Sequence, residues 1–232
     1  MNRVRLYFAR LPLEKISDQE NYVVLGRWLS ELSEQKRASI QRLVNDRDRL
    51  SSLLGLRLLK RCAEDEGISD FSLADIHYPE AGKPYWRSKS ALQFDFNISH
   101  SDNVILVAMS KALRVGVDVE KIRNLKYLNF KMVMSPEELM LIRQTPALFF
   151  NLWSKKEAVV KAADTTGIAR MRDVYLDKER AMLDEVCWYT KSLSKLMELE
   201  GVFSVHLATS QPVAELILKD LSVDDLIDLR EL

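Results

Sequence analysis

Asp118 and Glu120 stand two residues apart in Val115-Gly116-Val117-Asp118-Val119-Glu120. Side chains alternate along a strand, so the three valines take one face and both carboxylates the other. Their Cα atoms would lie roughly 7 Å apart, close enough for both to reach one small ion. Further on, Trp153-Ser154-Lys155-Lys156-Glu157 through Lys161 reads as a helix, with Glu157 and Lys161 one turn apart on one side. A third carboxylate and an ammonium brought up to the strand pair would make an oxygen-rich site for Mg²⁺ and a phosphate. A plainer reading of the same residues, a solvated strand face and a surface ion pair, stays open at this level.

The chain has 232 residues, enough for one large domain or two small ones, and 47% hydrophobic with 29% charged content fits a soluble globular protein. A net charge of zero argues against a general nucleic-acid binder, whose footprint is a basic excess. Cys62 and Cys187, far apart in sequence, make neither a zinc spacing nor a disulfide framework, so a reduced, cytoplasmic setting is expected. No apolar run approaches the ~18 residues of a membrane span. Arg3, Arg5 and Arg10 interrupt the first ten residues, which therefore lack the apolar region of a signal peptide.

Elements that could position the acidic groups follow from periodicity. Val4 to Ala9 predicts a strand, and Ser17 or Asp18 could cap a short helix to about Leu29. Helices are expected over 30–42 and 46–66, the second with a stripe of Leu50, Leu53, Leu54, Leu58 and Cys62 and a stop at Gly67. The stretch from Lys36 to Arg61 is basic, which suits either a solvated helical face or a clamp for an anion. A strand over 74–78 and a turn at Gly82-Lys83-Pro84-Tyr85 follow. Strands over 94–98, 104–109 and 113–120 read as a three-strand antiparallel meander, with Ser99-His100-Ser101 at a strand end, where loops carry function. Ser135 caps a helix with Pro136 in its first position and Glu137 and Glu138 in its first turn; Thr145-Pro146 breaks it before the helix over 147–163. Strands near 174, 186–190, 202–209 and 213–218 complete two α+β halves of similar content.

Asn97-Ile98-Ser99-His100-Ser101, then Gly116-Val117-Asp118-Val119-Glu120, then Trp153-Ser154-Lys155-Lys156-Glu157-Ala158-Val159-Val160-Lys161 resemble, in order and spacing, the three signatures of the Sfp-type 4′-phosphopantetheinyl transferases. Gly82-Lys83-Pro84 is similar to a fourth, weaker element, and the resemblance runs the length of the chain. It implies an α+β fold of two similar lobes related by a pseudo-twofold axis, each a small antiparallel sheet packed with helices, here 1–120 and 121–232. Coenzyme A would lie in the cleft between them. The implied reaction moves the phosphopantetheine arm of coenzyme A to a serine of an acyl or peptidyl carrier protein, releases 3′,5′-ADP and requires Mg²⁺, with Mn²⁺ as an alternative. The implied partners are carrier domains, with no nucleic acid and no membrane, and the implied state is a monomer.

The resemblance also assigns roles. Asp118, Glu120 and Glu157 would hold the metal, and Lys161 would reach a phosphate oxygen as a point charge. Glu157, directly or through a water on the metal, is the candidate base for the carrier serine, and Lys161 joins it as a catalytic group. Ser99 and His100 would meet coenzyme A phosphates, Lys83 and Pro84 the adenine side, and Lys36 or Arg37 the 3′-phosphate. Where the family often has an arginine just before Leu53-Leu54-Gly55, this chain has Ser51, leaving Arg47 or Arg49 upstream for a third phosphate contact. Met132-Val133-Met134 stands where many members are aromatic; with Lys121, Arg123, Lys126 and Lys131 it suits the acidic helix of a carrier, or else it is core. A catalytically silent coenzyme A- or carrier-binding module is the competing expectation. A phosphotransferase with a glycine-rich phosphate loop is disfavoured, since the seven glycines form no such pattern.

Overall fold

The computed structural model describes residues 1–11, 26–87, 93–125, 130–165 and 167–226. The helix expected after Ser17 or Asp18 falls largely outside them, as does Lys126. The N-terminal half supplies β1 (Arg3–Arg10), β4 (Asp95–Ser101), β5 (Val104–Ser110), buried along its whole length, and β6 (Val115–Lys121). The short pair β2 (Ile76–His77) and β3 (Tyr85–Trp86) stands apart from these. The C-terminal half supplies β7 (Tyr175–Asp177), β8 (Arg180–Leu183), β9 (Val186–Ser192), β10 (Phe203–Thr209) and β11 (Glu215–Asp220). Two larger sheets result, ordered β11-β1-β5-β4 and β6-β10-β9-β8-β7. Pairing in them is antiparallel except between β1 and β11, where Arg3 to Phe8 run parallel to Glu215 to Asp220.

The expected three-strand meander is only two strands. β4 and β5 form the hairpin, with Ile98 opposite Val107, but β6 leaves it and pairs with β10, placing Val119 opposite Val205 and Asp118 opposite His206. Both edges of β5 are taken, one by β4 and the other by β1, so β6 has no edge to join there. Val115, Val117 and Val119 pack with Val4, Leu6, Phe8, Val104 and Leu106 of the first sheet in a shared core. Each such side chain contributes about 1.5–3 kcal/mol when fully buried. The chain therefore crosses between sheets twice, at β6 and again at β11.

Helices cover the outer faces. α1 (Glu34–Gln41) begins at Ser33, whose hydroxyl accepts from the Lys36 N–H, and is shorter than the periodicity suggested. α2 (Asp46–Asp65) is capped by Asn45 and buries Leu53, Leu54, Leu58 and Cys62 against Tyr7 and Ala9 of β1. α3 (Pro136–Gln144) starts with a full capping box: Ser135 Oγ accepts from the Glu138 N–H and Glu138 Oε2 accepts from the Ser135 N–H at 2.7 Å. α4 (Leu148–Ala162) packs Ala158, Val159 and Ala162 on the second sheet, beside Trp188 and Ala208.

Candidate active site

The acidic cluster sits where three elements converge, and its construction starts at Gly116. A Cβ there would stand 2.0 Å from the Ala158 carbonyl oxygen and 2.4 Å from the Ala162 nitrogen, so only glycine lets α4 lie this close to β6. That approach brings Glu157 and Lys161 over Asp118 and Glu120. Ligand oxygens of Asp118, Glu120 and Glu157 lie within 4.8 Å of one another. Lys161 Nζ donates to Asp118 Oδ1 at 2.7 Å and pairs with Glu157 Oε1 at 3.1 Å.

The other side of β6 is held in an unusual way. β4 and β6 run parallel without belonging to one sheet, and side chains of β4 take the strand's free N–H groups. Asp95 Oδ2 accepts from Val115 at 2.7 Å, Asn97 Oδ1 from Val117 at 2.9 Å, Ser99 Oγ from Val119 at 3.4 Å and Ser101 Oγ from Lys121 at 3.1 Å. Alternation puts these four side chains on one face, which satisfies buried donors that have no backbone partner on that edge. Lys83 closes the end of the ladder. Its ammonium donates to both Asp95 oxygens and to the Val115 carbonyl, each at 2.7 Å. Burial pulls its pKa down while Asp95 pulls it up. Lys83 thus ties the two sheets together, and its backbone N–H donates to Asp164 Oδ1 just beyond α4.

Burial and mutual repulsion crowd the charge of the cluster. Asp118 is 2% exposed, and burial pushes its carboxyl up to about 7; Lys161 works against this, while Glu157 and Glu120 add to it. Burial and Glu157 also raise Glu120. Burial opposes the charge on Lys161, but Asp118 and Glu157 outweigh it and hold the ammonium firmly protonated. Asp118 Oδ2 is buried and has no hydrogen-bond partner among the described residues. An all-oxygen donor set with an orphaned carboxylate oxygen fits a hard divalent ion such as Mg²⁺.

The remaining candidates divide by face. Ser99 points into the cluster, donating to Asp118 Oδ1 at 2.9 Å. His100, next along the strand, faces the opposite way and is exposed, with Asp48, Lys161 and Lys36 as charged neighbours. Lys36 is partly buried, which lowers its pKa, and its ammonium stacks over the Tyr78 ring at 5.0 Å. Beside it, Arg37 donates to the Leu32 carbonyl at 3.3 Å, and its Nε, like the Tyr78 hydroxyl, is buried without a hydrogen-bond partner among the described residues. Arg49 is differently placed. Its guanidinium holds the loop before its own helix, through the Leu43 carbonyl at 2.7 Å and Asp46 Oδ1 at 2.8 Å. Arg47 is paired with Asp102 at 2.9 Å. Pro84 is partly buried between Lys83 and β3.

Sequence reasoning missed four contributors. Asn97 and Asp95 hold the site strand. Lys156, inside the helix motif, is fully buried and pairs with Glu138 at 2.6 Å, joining α4 to the capping box of α3. His206, opposite Asp118, accepts or donates at Ser154 Oγ at 2.8 Å, and burial pushes its pKa to about 3, so it is neutral. Alternation could have found the first two; nothing local distinguishes Lys156 from its neighbour Lys155.

Residues 24–112 match a family described as 4′-phosphopantetheinyl transferase, N-terminal, and residues 114–199 match the 4′-phosphopantetheinyl transferase superfamily. The chain belongs to the 4′-phosphopantetheinyl transferase family. It is 26% identical over 185 residues to the 4′-phosphopantetheinyl transferase gsp of Aneurinibacillus migulanus, covering 76% of this chain and 73% of that protein. It is 29% identical over 142 residues to a 4′-phosphopantetheinyl transferase of Bacillus subtilis, covering 59% and 62%. It is 27% identical over 150 residues to an L-aminoadipate-semialdehyde dehydrogenase-phosphopantetheinyl transferase of Schizosaccharomyces pombe, covering 56% and 58%. The match thus spans less than two thirds of the length of the last two relatives. Among the described residues, no helix is long and apolar enough to cross a membrane.

Proposed function

We propose that this chain transfers the 4′-phosphopantetheine group of coenzyme A to a serine of an acyl or peptidyl carrier protein, with Mg²⁺, releasing 3′,5′-ADP. The observation that carries this reading is the triad Asp118, Glu120 and Glu157, with oxygens within 4.8 Å, beside the ammonium of Lys161. Asp118, Glu120 and Glu157 would hold the metal, which when bound neutralises charge on the pyrophosphate. Lys161 would hold a phosphate oxygen and keep its proton throughout. Glu157, which keeps contact with Lys161 through one oxygen, would receive the proton of the carrier serine. Lys36 and Arg37 would bind the 3′-phosphate, since their surroundings contain unpartnered buried donors. His100 and Ser99 would stand at the phosphate end and Pro84 and Lys83 at the adenine end. For Arg49 to join them, it would have to release the loop it holds. The lobes 1–120 and 121–232, a coenzyme A cleft between them, a monomeric state and a cytoplasmic setting belong to the same reading.

The test is intact-mass spectrometry of an apo carrier protein incubated with this protein, coenzyme A and Mg²⁺, with EDTA as control. The expected result is a gain of one phosphopantetheine arm, lost with EDTA and lost in Asp118→Ala. Coenzyme A binding without transfer to any carrier would favour the silent binding module. Full transfer by Asp118→Ala would remove the metal assignment.

A further inference from the structure

Each of the three carboxylates receives a hydrogen bond from a neutral donor outside the set. Trp153 Nε1 donates to Glu157 Oε2 at 2.8 Å, Ser99 Oγ to Asp118 Oδ1 at 2.9 Å, and Ser101 Oγ to Glu120 Oε2 at 3.5 Å. We propose that Trp153, Ser99 and Ser101 are positioning residues that aim these carboxylates at one cation. The proposal rests on the metal-dependent reading above and adds the residues that make it work.

The donors are themselves immobilised. Trp153 packs against Phe149 at 5.4 Å and meets Phe130 edge-on at 6.5 Å, contacts that restrain the indole beside Glu157. Ser99 accepts from the Val119 N–H and from Lys161 Nζ at 3.3 Å. A hydroxyl has one proton, and here Asp118 takes it, so Ser99 acts through Asp118. Ser101 repeats the arrangement one step along, accepting from Lys121 and facing Glu120. In both serines the hydroxyl reads the backbone of β6 and passes the alignment to the adjacent carboxylate. Neutral donors suit this task. They fix a carboxylate oxygen without cancelling the negative charge that a cation needs, whereas further ammonium groups would compete with it. The bond lengths also rank the three: the contacts to Glu157 and Asp118 are well formed and the one to Glu120 is marginal.

The experiment measures Mn²⁺ binding by electron paramagnetic resonance, in the presence of coenzyme A, for the parent protein, Trp153→Phe, Ser99→Ala and Ser101→Ala. Thermal unfolding in EDTA is recorded beside it. Trp153→Phe keeps an aromatic ring against Phe149 and removes the donor, with some loss of ring volume. Affinity should fall about tenfold or more for Trp153→Phe and Ser99→Ala and less for Ser101→Ala, with Ser101→Thr restoring it. Unfolding midpoints of Trp153→Phe and Ser101→Ala should stay within about 3 °C of the parent. Parent-like Mn²⁺ affinity in Trp153→Phe, or an affinity loss that only tracks loss of the fold, would overturn the proposal alone. A parent protein that binds no Mn²⁺ would overturn both the proposal and the metal-dependent function.

Discussion

Replacing Gly116 with alanine tests whether the contact between α4 and β6 sets the geometry of the acidic cluster. The new Cβ would lie 2.0 Å from the Ala158 carbonyl oxygen, 2.4 Å from the Ala162 nitrogen and 3.0 Å from the Ala162 Cα. All three are backbone atoms, so no side chain can turn aside. The helix must withdraw by about 1.4 Å to restore ordinary van der Waals contact. Overpacking of this kind costs about 1–3 kcal/mol and occasionally more. For a chain of this size that corresponds to a fall of roughly 2–12 °C in the unfolding midpoint. Glu157 and Lys161 ride on the same helix. A withdrawal of about 1.4 Å would stretch the 2.7 Å contact between Lys161 and Asp118 to about 4.1 Å, beyond hydrogen-bond range. A misplacement of that size can lower a rate about 100-fold. The assay pairs differential scanning calorimetry with carrier loading followed by mass spectrometry, in Gly116→Ala and in Gly26→Ala, where nothing lies within 4 Å of the added atom. Gly26→Ala should behave as the parent in both. Parent-like stability together with parent-like loading in Gly116→Ala would refute the reasoning.

Lys156→Met should destabilise the fold by about 3–5 kcal/mol, because it leaves Glu138, whose side chain is 13% exposed, without its cation. Urea unfolding would measure this, and Lys156→Met combined with Glu138→Gln should recover part of the loss; a single-variant loss below about 1 kcal/mol would count against a buried ion pair. At the far end of α2, burial acts against ionised Asp65 and Glu66, but Lys219 and Tyr7 outweigh it at Asp65, and Arg5 and Lys111 at Glu66, so both pKa values are lowered on folding. Their contribution is therefore complete above the ordinary carboxylate range and lost as pH falls through the lowered values. The drop in denaturant midpoint between about pH 5 and pH 3 should shrink in Asp65→Asn combined with Glu66→Gln, and an undiminished drop would assign acid lability elsewhere.

Local order along the chain determined much of the candidate site. Alternation alone separates Asp118 and Glu120 from the valines between them, and the helical period alone puts Glu157 one turn before Lys161. The Ser135 cap and the end of α2 near Gly67 were equally legible, because caps and stops depend on residues within one turn. Alternation also implied that Ser99 and His100 face opposite ways, a consequence the motif resemblance obscured by treating them as a pair. What local order did not determine was pairing. β6 follows β5 after a short turn, yet it joins β10, some 90 residues further on, because β1 already holds the second edge of β5, and beside β10 its valine face is buried between the sheets. β11 returns to lie parallel to β1 for reasons equally remote in sequence. The side-chain ladder from Asp95 to Ser101, the tie made by Lys83 and the buried pair of Lys156 and Glu138 all follow from that arrangement. Periodicity reports which side of an element is apolar, and only tertiary structure decides which distant element covers it.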